Sequence, residues 1–155
     1  MYKTDHIAYR VHDKEEARKF FETCLAYKLT DTFDIKFDDG TACECYAMVS
    51  SDGLSPEIFL SQGEPDSIVY NWVQEHGNQI HHIAYEVESV EATMKAWLCH
   101  GVEFLSEPLH CPDDDLIQVF TKVHPFTGMI YELIQRGDKG FCRDNVKQLM
   151  ESTDE

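Results

Sequence analysis

The chain has 155 residues, 43% of them hydrophobic, enough to bury one substantial core and short enough to favour a single domain. Thirteen basic residues against twenty-nine acidic ones give a net charge of −16, which opposes binding to nucleic acid or to anionic membranes. No apolar run approaches the roughly 20 residues that span a bilayer, and Met1 to Asp5 opens no secretory segment, so a soluble, cytoplasmic protein with a small-molecule partner is expected. Six cysteines (Cys24, Cys43, Cys45, Cys99, Cys111 and Cys142) include no CxxC pair, and reduced thiols are expected.

From Asp5 to Val11 the residues alternate, with Ile7, Tyr9 and Val11 on one side and His6, Ala8 and Arg10 on the other, as in a strand with one face against a helix. The helix follows over about Asp13 to Tyr27, where Ala17, Phe20, Phe21, Cys24 and Leu25 form an apolar stripe and Asp13 is the N-cap. Three strands come next, at about Leu29 to Phe37, Cys43 to Val49 and Glu57 to Ser61, separated by Asp-Gly turns at Gly40 and Gly53. A connector over 63–78 carries a short helical pattern of Ile68, Val69, Trp72 and Val73.

The second half repeats the order. A strand over Ile80 to Val87 precedes a helix over about Val90 to His100, with Met94, Trp97 and Leu98 as its stripe. Strands are expected near Val102 to Ser106, Leu116 to Lys122 and Met129 to Gln135. A tail over 137–155 adds a helix from Asp144 with Val146, Leu149 and Met150 on one face.

The repeat is visible in the residues themselves: His6-Ile7-Ala8-Tyr9 returns 76 positions later as His82-Ile83-Ala84-Tyr85. Glu57 lies 51 residues after His6, and Glu132 lies 50 after His82. Two His and Glu pairs, each on the strand face away from the helices, suggest one shared metal site. A 2-His-1-carboxylate set with open positions suits a non-haem Fe(II) oxygenase, and a fuller O/N shell suits Mn, Co, Ni or Zn. The expected architecture is α+β, two tandem βαβββ modules (about 4–62 and 79–136) forming one half-barrel around a central metal. A lone strand histidine is more often a satisfied polar residue, but duplication raises the weight of His6, His82 and Glu132 as ligands. Glu57 is a fourth candidate, whose face a one-residue slip would reverse.

The pattern Asp5-His6-Ile7-Ala8, His81-His82-Ile83-Ala84 and Tyr131-Glu132-Leu133 resembles the vicinal-oxygen-chelate superfamily, which includes glyoxalases, epimerases and dioxygenases. The last third is most similar to the catalytic domain of the 4-hydroxyphenylpyruvate dioxygenase family, through Leu116 to Lys122, Glu132 to Arg136, Gly140-Phe141 and Asn145. That resemblance implies that His6, His82 and Glu132 bind Fe(II) and that Gln118 contacts substrate in catalysis. It also places Phe120, Phe141 and Asn145 at the substrate, and makes the tail helix a lid. His81, Gly63 and Ile130 depart from the family pattern, and the family's N-terminal domain is absent from this chain.

Other stretches, Glu64 to Ser67, Ile80 to Ala84 and His124-Pro125, resemble the methylmalonyl-CoA epimerase family. By that resemblance Glu44, on a middle strand, would be the proton-transferring base, although between Cys43 and Cys45 it also reads as a solvated strand residue. The leading expectation is an Fe(II) dioxygenase-like enzyme acting on a small 2-keto or hydroxy acid. A metal-dependent epimerase or isomerase is the alternative, and a resistance-type binding protein a third. The resemblance also implies a possible homodimer. Asp113-Asp114-Asp115 lacks the turn glycine of a calcium loop and reads as solvated.

Overall fold

The computed structural model describes residues 2–154; the end residues of the expected domain, Met1 and Glu155, lie outside them. Among the described residues the order is β1 (Lys3–Arg10), α1 (Lys14–Cys24), β2 (Tyr27–Lys36), β3 (Ala42–Ser50), β4 (Glu57–Gly63), α2 (Ile68–His76), β5 (Gln79–Glu86), α3 (Val90–Cys99), β6 (Leu109–His110), β7 (Ile117–Phe120), β8 (Ile130–Gln135) and α4 (Arg143–Ser152). The class is α+β, with the β-α-β-β-β order in both halves that the sequence predicts. The chain divides into two compact units: one runs from His6 to His81, and the other combines the residues up to Asp5 with the chain from His82 onward. The division falls within β1 and β5, and α2 belongs with the first unit. Among the described residues no helix is long and apolar enough to cross a membrane.

In the first unit the strand order is β2-β3-β4-β1, antiparallel except for the parallel β4/β1 pair. Asp13 caps α1, its Oδ1 accepting from the Glu15 and Glu16 amides at 3.0 and 3.1 Å. The helix lays Phe21 on Met48, Ile58 and Leu60, with Ile7, Tyr9 and Ala17 around them. Burying one such side chain contributes roughly 2 kcal/mol. The stripe is narrower than its period predicts, because Phe20 and Leu25 are about half exposed and Cys24 is exposed. The other sheet face carries His6, Ala8 and Arg10, all buried, beside Phe59 and Ser61 of β4 and Cys43 and Cys45 of β3. Alternation alone therefore separates the helix-covered face from the histidine face.

In the second unit the order is β5-β8-β7-β6, with β5 and β8 parallel. Helix α3 packs Val90, Met94 and Trp97 on Val87, Val119 and Leu133, while Leu98 is half exposed rather than buried. The strand expected at Val102 to Ser106 is not formed; its only ladder contact is a single Phe104 to Thr121 bridge, and the edge strand is the two-residue β6. Two backbone hydrogen bonds make that bridge, Leu105 to Phe120 and Lys122 to Glu103, both at 2.9 Å, and bends from Leu105 to Glu107 before Pro108 stop the ladder from extending.

Helix α4 buries Asn145, Val146, Leu149 and Met150. The expectation of reduced thiols is corrected at two positions: Cys111 and Cys142, 31 residues apart with Cα atoms 6.2 Å apart, form a disulfide. The segment over 112–141 folds back on itself through the antiparallel pair β7 and β8 and brings them together, a proximity no local spacing encodes. A cross-link over this separation stabilises by about 3 to 4 kcal/mol on the chain-entropy account. Asp114 is an anchor rather than a merely solvated acid: its carboxylate accepts from the Asp138 and Lys139 amides at 2.9 and 3.1 Å. These bonds, Asp138's first, hold its pKa below the ordinary 3.8. The sign follows: this anchoring is present above the ordinary value and is lost as pH falls through the depressed one.

Gly63 ends β4 against the start of α2. A Cβ there would lie 2.6 Å from the Tyr70 nitrogen and closer still to Oγ of Ser67, which caps α2 by accepting from that same amide. We predict that Gly63→Ala destabilises the protein by about 2 kcal/mol in urea unfolding. An unchanged midpoint would show that the helix start can shift at no cost.

Candidate metal centre

The second unit contains a buried polar chain built from three strands and a helix. His82 enters from β5, Glu132 from β8 and Gln118 from β7, each on the strand face turned away from α3. Glu132 is 1% exposed, and its Oε1 lies 3.2 Å from His82 Nε2. Gln118 Nε2 donates to the other carboxylate oxygen, Oε2, at 3.2 Å. Asn145 of α4 then donates from Nδ2 to Gln118 Oε1 and to the Leu109 carbonyl, both at 3.2 Å. Its own Oδ1 is buried and accepts no hydrogen bond.

Apolar groups seal this chain. The Phe120 ring lies 4.5 Å from the His82 ring, centroid to centroid, and clusters with Ile130 and Leu149. The arrangement places Gln118 and Phe120 on one face and Val119 on the other, as alternation predicts. Phe141 lies under the Arg136 guanidinium, 4.7 Å from it. Arg136 also donates to both carboxylate oxygens of Asp5, from Nε at 2.8 Å and Nη2 at 2.7 Å. This fork was not foreseen; the only hint was the position of Asp5 directly before the strand histidine His6 and of Arg136 directly after the last strand.

The donor atoms fit a divalent metal. Two ligands at about 2.1 Å and a right angle stand about 3 Å apart, close to the Nε2 to Oε1 separation. A carboxylate this deeply buried is costly unless cationic charge or strong hydrogen bonds offset it. The pairing of imidazole nitrogen with carboxylate oxygen suits first-row ions without choosing among them.

In the first unit His6 is 2% exposed, with its ring 6.4 Å from Phe59. Register corrects the expected symmetry of the carboxylates. Ala84 pairs with Glu132 across β5/β8, whereas Ala8, its counterpart, pairs with Phe59 across β1/β4. Glu57 pairs with His6 itself, in the place that Ile130 holds beside His82. Glu57 thus shares His6's face, half-buried, but it corresponds to Ile130 and not to Glu132.

Glu44 does not have the environment of a desolvated base. Its side chain is 59% exposed and ion-paired with Lys14 Nζ. The β3 residues on the histidine face are its neighbours Cys43 and Cys45, whose sulfurs lie 3.8 Å apart. The contact with Cys45, together with burial, pushes the Cys43 thiol up, so it stays neutral at physiological pH. Arg10, beside them, is lowered by burial to about 10 and still carries its charge. His81 turns to the opposite side from His82 and packs edge-on against Trp72 at 5.2 Å.

Comparison with known proteins agrees with this picture of the fold. The chain is 27% identical to 4-hydroxyphenylpyruvate dioxygenase from Pseudomonas aeruginosa, over 88% of this chain and 46% of that protein. A triple mutant of 4-hydroxymandelate synthase from Streptomyces coelicolor superposes with a TM-score of 0.84 at 20% identity, over 97% of this chain and 53% of that one. A variant of methylmalonyl-CoA epimerase from the same organism, in complex with 2-nitronate-propionyl-CoA, gives a TM-score of 0.66 at 22% identity, over 86% and 96% of the two chains. The chain therefore spans about half the length of the curated relative it matches. A family model matches residues 5–120, which include both opening histidines and both crossing helices, and on that match the chain belongs to the Glyoxalase/Bleomycin resistance protein/Dioxygenase superfamily.

Proposed function

We propose that the protein is an Fe(II)-dependent, dioxygenase-like enzyme acting on a small 2-keto or hydroxy acid, with His6, His82 and Glu132 as the protein ligands of one metal. The observation that carries this reading is the Glu132 carboxylate, buried beside His82 and held by the amide of Gln118, which Asn145 holds in turn. The first module supplies only His6, because Phe59 stands where the second module has its glutamate. Two imidazoles and one carboxylate leave coordination positions for substrate and O₂. The likeness to 4-hydroxyphenylpyruvate dioxygenase supports the reaction class.

A bound ferrous ion supplies Lewis acidity toward vicinal substrate oxygens and redox chemistry with O₂. The side chains supply order. Gln118 fixes the rotation of the Glu132 carboxylate, which keeps Oε1 turned to the side of His82 Nε2. Asn145 fixes Gln118 in turn, since a flipped amide would set its carbonyl against the carboxylate. Phe120 and Leu149 exclude water from this side of the site. Asn145 Oδ1 is the acceptor left for a substrate hydroxyl or N–H.

The base expected for proton-transfer chemistry of the epimerase kind, Glu44, is exposed and paired with Lys14, which favours the oxygenase reading over it. Reconstitution of apoprotein with Fe(II) under anaerobic conditions, followed by O₂-uptake assays over a panel of 2-keto acids, tests the reading. We expect one iron per chain and substrate-dependent O₂ consumption. His82→Ala and Glu132→Ala should each lower the rate at least about a hundredfold. Iron binding with no O₂ uptake for any keto acid would remove the oxygenase assignment.

Gln118→Leu should weaken metal binding about 10- to 100-fold in a competition titration, the usual cost of losing a partner behind a ligand. Equal affinity would mean that the amide does not hold the carboxylate. Glu44→Gln should leave turnover within about twofold, as befits an exposed ion pair. A loss above about tenfold would instead favour proton transfer.

A further inference from the structure

We propose that Cys111 and Cys142 form a redox modification site, a disulfide that exchange with a dithiol reductant opens to release the helix carrying Asn145. Three observations carry this. The bond ties the residue after β6 to the N-cap of α4, the point at which the tail enters its helix. Three residues further on, Asn145 grips Leu109 and Gln118, so the cross-link and the end of the buried polar chain share one helical turn. The disulfide is also reachable: both cysteines are partly exposed, and a cleft of about 260 Å³ over them is lined by Asp113, Lys139, Phe141 and Arg143.

The remaining cysteines point to a switch rather than a permanent staple. Cys24 and Cys99 are exposed free thiols, and Cys43 and Cys45 are buried free thiols in contact with each other. A chain that carries one disulfide beside two exposed thiols fits an environment in which disulfides are transient and regulatory. Removal of the bond leaves α4 held by the two Asn145 hydrogen bonds, by Leu149 in its cluster with Phe120 and Ile130, and by the turn that Asp114 anchors.

The exchange balances. A thiolate of the reductant attacks Cys111 Sγ, the S–S bond breaks, and its electron pair leaves on Cys142 Sγ, where the helix N-terminus favours negative charge. The second thiol of the reductant then displaces Cys111 from the mixed disulfide. Two electrons and two protons pass to the protein, and the reductant departs as its own disulfide. The consequence is a helix that opens more often, freeing Asn145 from Gln118.

This proposal does not depend on the metal reading, and its test needs no turnover. Thiols are counted on the unfolded protein, and hydrogen exchange over 146–152 is followed in the native protein, before and after treatment with a dithiol. The expected counts are four free thiols before and six after. Exchange in α4 should quicken by about tenfold or more on reduction, while α1 is unchanged. Cys111→Ser and Cys142→Ser should each show the fast exchange with or without reductant. Six thiols before reduction, or α4 exchange that reduction does not alter in the wild-type protein, would overturn the proposal, and the wild-type comparison decides even if a variant fails to fold.

Discussion

The buried carboxylate of Glu132 is the constraint around which the second unit is arranged. At 1% exposure it has lost its water, and the side chains near it answer that loss in sequence: His82 at one oxygen, Gln118 at the other, Asn145 behind Gln118. Each link comes from a different element, so β5, β7, β8 and α4 must all be in register for the chain of contacts to close. Each link lost from a buried polar network leaves a group without a partner at a cost in stability, which ties the position of the C-terminal helix to the chemistry of the strand.

Duplication explains the shape of the site and also its asymmetry. Both modules open with the same His-Ile-Ala-Tyr strand, and in both the histidine turns away from the crossing helix. Their closing strands have diverged. The position facing the strand alanine is Glu132 in one module and Phe59 in the other, and Phe59 stacks on Phe33 rather than offering a donor. One module thus keeps a carboxylate, and the other fills the equivalent space with a ring. A helix follows the last strand of each module, α2 after β4 and α4 after β8, and α4 packs on the half that kept the carboxylate.

Much of this was legible in residue order because period-2 alternation and helical periodicity are local. The histidine strands, the Asp13 cap, the placement of Gln118 with Phe120, and the buried face of α4 all follow from neighbours a few positions apart. What was not legible depends on register or on chain return. Counting residues from histidine to glutamate made Glu57 look like the twin of Glu132, because the count takes no account of which residues pair across the strands. Glu44 looked available as a base because its sequence neighbours do not reveal that Lys14 reaches it from α1. The strand expected at Val102 to Ser106 shrank to a single bridge, and the Cys111 to Cys142 bond spans two strands and their connections, whose path only the folded chain defines.

The proposed metal centre takes His6, His82 and Glu132 as its ligands, and that ligand set would separate a metal enzyme from a protein that merely shares the fold. X-ray absorption at the iron edge of the Fe(II)-loaded protein, compared with the same measurement on His6→Ala, addresses it most directly. The account predicts scattering from two imidazoles in the wild-type protein and from one in the variant, with oxygen ligands completing both shells. Two imidazoles in both spectra would place His6 outside the metal's shell and contradict the account.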